Sequence, residues 1–140
     1  MRYIGIDTGV HTGFAVWNAD NKAFEAVETL PIHQAMWRIE ALQREDKAKG
    51  QHTFMVLVED ARLRKWYGSK SYEKLQGAGS VKRDCKIWED FLTDLGVEFR
   101  MQDPKYDTTK VRADSFKALT GWTKRTSEHG RDAAMMVFGR

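Results

Sequence analysis

Tyr3-Ile4-Gly5-Ile6-Asp7-Thr8-Gly9-Val10-His11-Thr12-Gly13-Phe14-Ala15-Val16-Trp17 is the stretch whose reading decides the fold. Two apolar runs flank a short, glycine-punctuated turn. Tyr3, Ile4 and Ile6 favour a pleated backbone, as do Phe14, Val16 and Trp17. Gly9 and Gly13 permit backbone geometry that other residues resist. The stretch therefore reads as two strands joined by a turn, with Asp7 where the first strand ends. A carboxylate there is held by a sheet and faces the space beside the turn. The rest of the chain is read for the partners that could join it.

Asn18-Ala19-Asp20-Asn21 is a turn, and the loosely alternating run from Ala23 to Leu30 is a third strand. Three short strands this close make an antiparallel meander. Pro31 suits the first position of a helix. Ile32, Ala35, Met36, Ile39 and Leu42 then recur at helical spacing, until Gly50 closes the helix. Thr53 to Val58 is apolar without alternation, the pattern of a strand buried on both faces. Following a helix, it reads as a central parallel strand beside the first. Glu59-Asp60 comes at its end.

Arg62 to Lys70 reads as a loop, with Arg62, Arg64, Lys65 and Lys70 around Trp66-Tyr67. Gly68, Gly77 and Gly79 mark flexibility, and Ser80 is the expected cap of a long helix that stops before Gly96. Val81, Cys85, Trp88, Leu92 and Leu95 form its apolar stripe, and Ile87 and Phe91 a second beside it. That breadth suits a core face and a partner face together. Val97 to Met101 is a fifth strand, stopped by Asp103-Pro104. Val111 to Leu119 is a short helix ended by Thr120-Gly121. The last helix starts at Thr126 or Ser127 and runs to the C-terminus. The order βββαβαβαα predicts a single α/β domain over residues 1–140: a five-stranded mixed sheet, three strands antiparallel and two parallel, with helices on both faces.

Composition sets the bounds. The chain has 140 residues, 41% hydrophobic and 31% charged, enough for one core. A net charge of +3 is too mild to assign a nucleic-acid partner by itself. Cys85 is the single cysteine, which excludes an intramolecular disulfide and fits a reducing compartment. The longest strong apolar run, Phe54 to Val58, cannot span a bilayer. No signal-peptide pattern precedes the first strand, so the expectation is a soluble cytoplasmic protein with no membrane partner.

In the last helix, His129, Asp132, Ala133, Met136 and Val137 fall at i, i+3, i+4, i+7 and i+8 and share one face. The apolar members turn that face inward, where an Asp needs a partner or a cation. Each acidic residue also has a simpler reading. Asp132 could pair with an arginine and His129 be a hydrogen-bonded core histidine. Asp7 could be a turn residue, and Glu59 and Asp60 could be solvated. The conjunction is the stronger signal. Two carboxylates end two apolar strands, and a third projects from a helix over the sheet. Carboxylates brought together suppress one another's ionisation unless a cation neutralises them. Hard oxygen donors suit Mg²⁺ or Mn²⁺, and two such ions can activate water and stabilise the leaving oxygen in phosphodiester cleavage. Asp60 would point to the opposite face from Glu59 and ranks below it. In the Arg62–Lys70 loop, Lys and Arg would neutralise phosphates, and Trp66 and Tyr67 could stack on unpaired bases, or fold back on the core.

The set Ile4-Gly5-Ile6-Asp7-Thr8-Gly9 with Thr12-Gly13, Val56-Leu57-Val58-Glu59-Asp60, Gly77-Ala78-Gly79-Ser80, and Glu128-His129-Gly130-Arg131-Asp132-Ala133-Ala134 resembles the RuvC-type Holliday-junction resolvases of the RNase H-like superfamily. The anchors span the chain in that family's order. The resemblance implies a metal-dependent crossover junction endodeoxyribonuclease of a bacterial or bacteriophage-infected cell, acting as a homodimer on four-way DNA junctions. It implies that Asp7, Glu59 and Asp132 bind the Mg²⁺ or Mn²⁺ ions, two per site, with His129 at the fourth position, where many relatives carry Asp. Phe116-Lys117-Ala118-Leu119-Thr120-Gly121 resembles the segment with an active-site lysine, which would be Lys117. Lys124-Arg125 lies where a second basic residue is expected, and the Arg62–Lys70 loop where an aromatic side chain contacts the junction core. Competing readings are an RNase H-like nuclease cutting RNA or flap DNA, a non-catalytic branched-DNA binder, and a phosphotransferase of the actin-like ATPase class. The last shares the strand–Asp–Thr–Gly opening but needs two such domains.

Overall fold

The computed structural model describes residues 1–63, 72–104 and 110–140, with 72–78 described by their backbone only. Arg64, Lys65, Trp66, Tyr67 and Lys70 lie outside the described residues. Strands β1 (Arg2–Asp7), β2 (His11–Asn18) and β3 (Ala23–Pro31) form the expected meander. Helix α1 (Ile32–Lys49) crosses to β4 (Phe54–Glu59), which runs parallel to β1 with Ile6 opposite Val58. After a 3₁₀ turn at Ala61–Leu63 come α2 (Tyr72–Leu95), β5 (Phe99–Gln102), α3 (Ala113–Thr120) and α4 (Glu128–Val137). The sheet order is β3-β2-β1-β4-β5.

The unbroken apolar run of β4 is buried on both faces, as its pattern requires. Val56, Val58, Ile4 and Ile6 face one core, which α1 closes with Ala35 and Ile39 and α2 with Trp88 and Leu92. Met55, Leu57 and Ala15 face the other, closed by Phe116 of α3 and Ala133, Ala134 and Val137 of α4. Helix α1 ends on Gly50 in the left-handed conformation, φ 61°. Asp46 then accepts from the backbone N–H (2.7 Å) and the hydroxyl (2.6 Å) of Thr53, which aims the chain into β4. No helix among the described residues is long and apolar enough to cross a membrane.

Element boundaries differ from the sequence reading at several points: Pro31 ends β3 and precedes α1, β5 runs Phe99–Gln102 and α3 runs Ala113–Thr120. Helix α2 begins at Tyr72 rather than at Ser80, so Gly77 and Gly79 lie within it. A helical glycine costs about 1 kcal/mol, less than burying Cys85, Trp88 and Leu92 returns. Ile87, placed in a second stripe, stays 43% exposed. Helix α4 stops at Val137, because Phe138 turns back to pack on Trp17 and Phe24.

Glycine governs how α4 meets the sheet. A Cβ at Gly5 would lie 2.1 Å from the Ala133 carbonyl oxygen, and one at Gly13 would lie 2.0 Å from that of His129. The helix backbone therefore rests directly on β1 and β2. Gly13 serves this contact from within β2 and is not a turn residue; the positive φ (153°) of the β1–β2 turn belongs to Gly9. On the third side Gly130 lies against the Glu28 carbonyl. Ser127 caps α4 by accepting from the Gly130 N–H, and its hydroxyl pairs with that of Thr29 on β3.

Candidate active site

Alternation along the strands sorts the acidic residues. Ile6 and Val58 point to the α1–α2 core, so Asp7 and Glu59, next in register, continue on the α4 side. Two carboxylates thus end neighbouring parallel strands under the N-terminal half of α4. The strand ends are tied together: the Thr8 hydroxyl donates to the Glu59 carbonyl (3.3 Å), and Cys85 of α2 lies 3.6 Å from that hydroxyl.

Helix α4 completes the arrangement. His129 Nδ1 lies 3.0 Å from Asp7 Oδ2. With Nδ1–H donating to the carboxylate, Nε2 is the nitrogen left facing outward. Chiefly through burial, and further through the negative charge of Asp132, the Asp7 carboxyl is pushed above the usual carboxylate value; the hydrogen bond from His129 and the charge of Lys110 oppose this. The inward face of α4 is Gly130, Ala133, Ala134 and Val137. His129 and Asp132, read as inward, sit at its open margin, with His129 half exposed.

Asp132 has a partner that no motif announced. Lys110 Nζ stands 3.6 Å from Asp132 Oδ2 and pairs with Glu128 in the first turn of α4. Its ammonium is held above the usual lysine value, first by the Glu128 contact and then, against desolvation, by Asp132. Among the described residues Lys110 is the basic group paired with Asp132, whereas Lys117 of α3 lines a separate groove. Lys124, Arg125 and Trp122 also line this open groove of about 510 Å³, and Lys124 Nζ stands 5.5 Å from the Trp122 ring centre.

Asp60 points to the opposite face from Glu59, as read in the sequence, and engages Arg62 there. Asp60 is 2% exposed and points to the α2 side. Arg62 binds both its oxygens, at 2.8 and 2.7 Å, and reaches Glu89 of α2 at 2.5 Å. This guanidinium, expected to face phosphates, braces β4 against α2. Its hydrogen bonds hold the Asp60 carboxyl below the ordinary value of 3.8. The ionised form therefore contributes stability that is present above that value and lost as the pH falls through the lower folded value. Asp60→Asn should cost about 3 kcal/mol near neutrality and flatten the acid limb of the stability profile. Urea unfolding at about pH 7 and about pH 3 measures both; equal losses at the two values would show that Asp60 is held by shape and not by charge.

The donor set suits a hard divalent cation: carboxylates at Asp7, Glu59 and Asp132 and one imidazole, with the Asp7 carboxyl raised chiefly by burial and further by the charge of Asp132. Among the described residues, no three His, Cys, Asp or Glu side chains are gathered into a preformed metal cage. His129 and Asp7 are in contact, Asp132 is held to Lys110, and Glu59 stands beside Asp7 in register.

A mixed sheet of order 3-2-1-4-5 with helices on both faces has counterparts among solved structures. The chain is similar to the RuvC of Thermus thermophilus. In complex with a Holliday junction substrate, that protein matches at TM-score 0.50 and 16% identity over 95% of this chain and 88% of its own. A second Thermus thermophilus RuvC structure matches at TM-score 0.50 and 17% identity over 96% and 92%. The fold is RNase H-like. No family model and no curated protein matches the sequence. Strands β1 and β4 are parallel neighbours, so their carboxyl ends, which carry Asp7 and Glu59, open onto the same edge of the sheet.

Proposed function

We propose that the protein is a metal-dependent, structure-selective endonuclease that cleaves phosphodiester bonds in four-way DNA junctions. The observation that carries this reading is the convergence of α4 on β1: His129 contacts Asp7, Asp132 adds its charge, and Glu59 stands next in register. The similar Thermus protein has been solved with a Holliday junction. Asp7, Glu59 and Asp132 would hold two Mg²⁺ or Mn²⁺ ions. Bound there, the ions supply the charge that activates water and stabilises the leaving oxygen.

The chain's own residues do the rest. Asp7 orients His129, whose outward Nε2 can accept a proton or donate a lone pair to a cation. Lys110 offsets negative charge beside Asp132 and presents an ammonium to an entering phosphate. Lys117, Lys124 and Arg125 form one basic face; Arg64, Lys65 and Lys70, with Trp66 and Tyr67, are assigned a second, the aromatics stacking on bases exposed at the junction centre. Two sites for two strands call for a homodimer, and the exposed Ile87 on α2 suits that contact.

The test is cleavage of labelled four-way junction, flap, duplex and RNA–DNA hybrid, with and without Mg²⁺. Junction cutting that requires the metal is the expected result. Equal cutting of flap or hybrid would transfer the reading to a nuclease of other specificity, and junction binding without cutting to a branched-DNA binder. Arg64→Ala with Lys65→Ala should weaken junction and duplex binding alike and reduce the salt slope by about 2. Trp66→Ala should lower only the preference for junction.

A further inference from the structure

One side chain of α4 joins the two segments that carry the basic groups. Arg131 donates from Nε to the Val111 carbonyl (2.9 Å) and from Nη1 to the Thr126 carbonyl (3.1 Å) and hydroxyl (3.0 Å). Val111 directly follows Lys110, and Thr126 directly follows Arg125. The two segments bracket α3, and both are bound to one half-buried guanidinium next in sequence to Asp132. The arrangement has a purpose in Lys110. That residue lies outside any helix or strand, its side chain is two-thirds exposed, and a long flexible stem cannot by itself hold an ammonium at one carboxylate. Its position must come from its backbone, and the Val111 carbonyl is the neighbouring point at which a side chain grips that backbone.

We propose that Arg131 is a positioning residue: its planar fork sets the Lys110 segment against Asp132 and, through Thr126, sets the Lys124–Arg125 segment against the same helix. A planar guanidinium can bond two carbonyls in different directions at once; an ammonium at the end of a lysine stem cannot reproduce that geometry. The inference rests on the nuclease reading above for its catalytic consequence, and on the geometry alone for its structural one.

The test is the set Arg131→Gln, Arg131→Lys, Lys110→Met and the double variant Arg131→Gln/Lys110→Met, in the full chain. Arg131→Gln should lower kcat for junction cleavage by about 10- to 100-fold, the range for groups that orient a site from behind. Arg131→Lys should recover little of this, and KM should move far less than kcat. In the Lys110→Met background the Arg131 change should lower kcat almost no further, because its route to the carboxylates through Lys110 is already gone. Losses that multiply independently in the double variant, or full recovery by Arg131→Lys, would overturn the proposal. A metal-free readout separates it from the nuclease reading. Amide hydrogen exchange in Arg131→Gln should quicken at 110–112 and 123–126 while the Ala133–Val137 turn stays protected. If the wild-type chain cleaves nothing, the nuclease reading fails and this pattern still decides the positioning role. Unchanged exchange in both segments, or a uniform rise across α4, would overturn it.

Discussion

Asp7→Asn and Asp132→Asn are each expected to abolish the proposed junction cleavage, a loss of at least about 10³-fold, while the chain should still fold and bind the junction. The amide keeps the shape of the carboxylate and removes the charge with which it would hold a divalent cation. Asp7 is the more buried of the two and its carboxyl is already raised, so the neutral Asn imposes little folding cost there. Asp132→Asn also frees Lys110 from one of its two carboxylate partners. Less negative charge then faces the phosphates, and binding without metal should hold or tighten, most visibly at low salt. Single-turnover cleavage in Mg²⁺ and junction affinity without it measure the two effects separately. If Asp132→Asn cut at near the wild-type rate, Asp132 would be the ion-pair partner of Lys110 and nothing more, and the metal site would be wrong.

Gly5→Ala and Gly13→Ala are expected to be the most damaging small substitutions in the chain. Each adds one methyl, but it would lie about 2 Å from a helix carbonyl oxygen, and both neighbours are backbone that no rotamer change can clear. Helix α4 must lift from the sheet, at about 3 kcal/mol, the upper part of the overpacking range. Lifting α4 also separates His129 from Asp7, so activity should fall further than stability. Gly79→Ala is the control: it sits in α2 with no described atom within 4 Å of the added Cβ, and should stabilise by about 0.5–1 kcal/mol. Urea unfolding ranks the three. A Gly5→Ala protein as stable as wild type would mean that α4 does not rest on β1 as described.

The meander, the central β4 strand and the Gly50 helix end were legible because each is a local pattern: alternation, an unbroken apolar run, a left-handed cap. Asp7 and Glu59 were legible for the same reason, as carboxylates placed at the ends of apolar strands. His129 and Asp132 were found by helical spacing, but spacing alone put them on the buried face. In the structure Gly130, Ala133, Ala134 and Val137 form the buried face of α4, and His129 and Asp132 stand at its margin. Gly5 carried a usable signal, since a glycine inside a strand marks a close backbone approach. Lys110 carried none.

By itself the sequence determined the order of elements, the sheet's buried strands and the residue types available at the strand ends, since these follow from neighbours a few positions apart. Only the tertiary structure decided what each charge does. Arg62 is bound to Glu89 and braces the fold; Lys110 is bound to Asp132 and stands at the carboxylates; Arg131 is bound to Val111 and Thr126 and joins two segments. A long cationic side chain can reach phosphate, carboxylate or carbonyl with equal ease. Which one it meets depends on groups brought close by strand pairing and helix packing, and no local pattern records that choice.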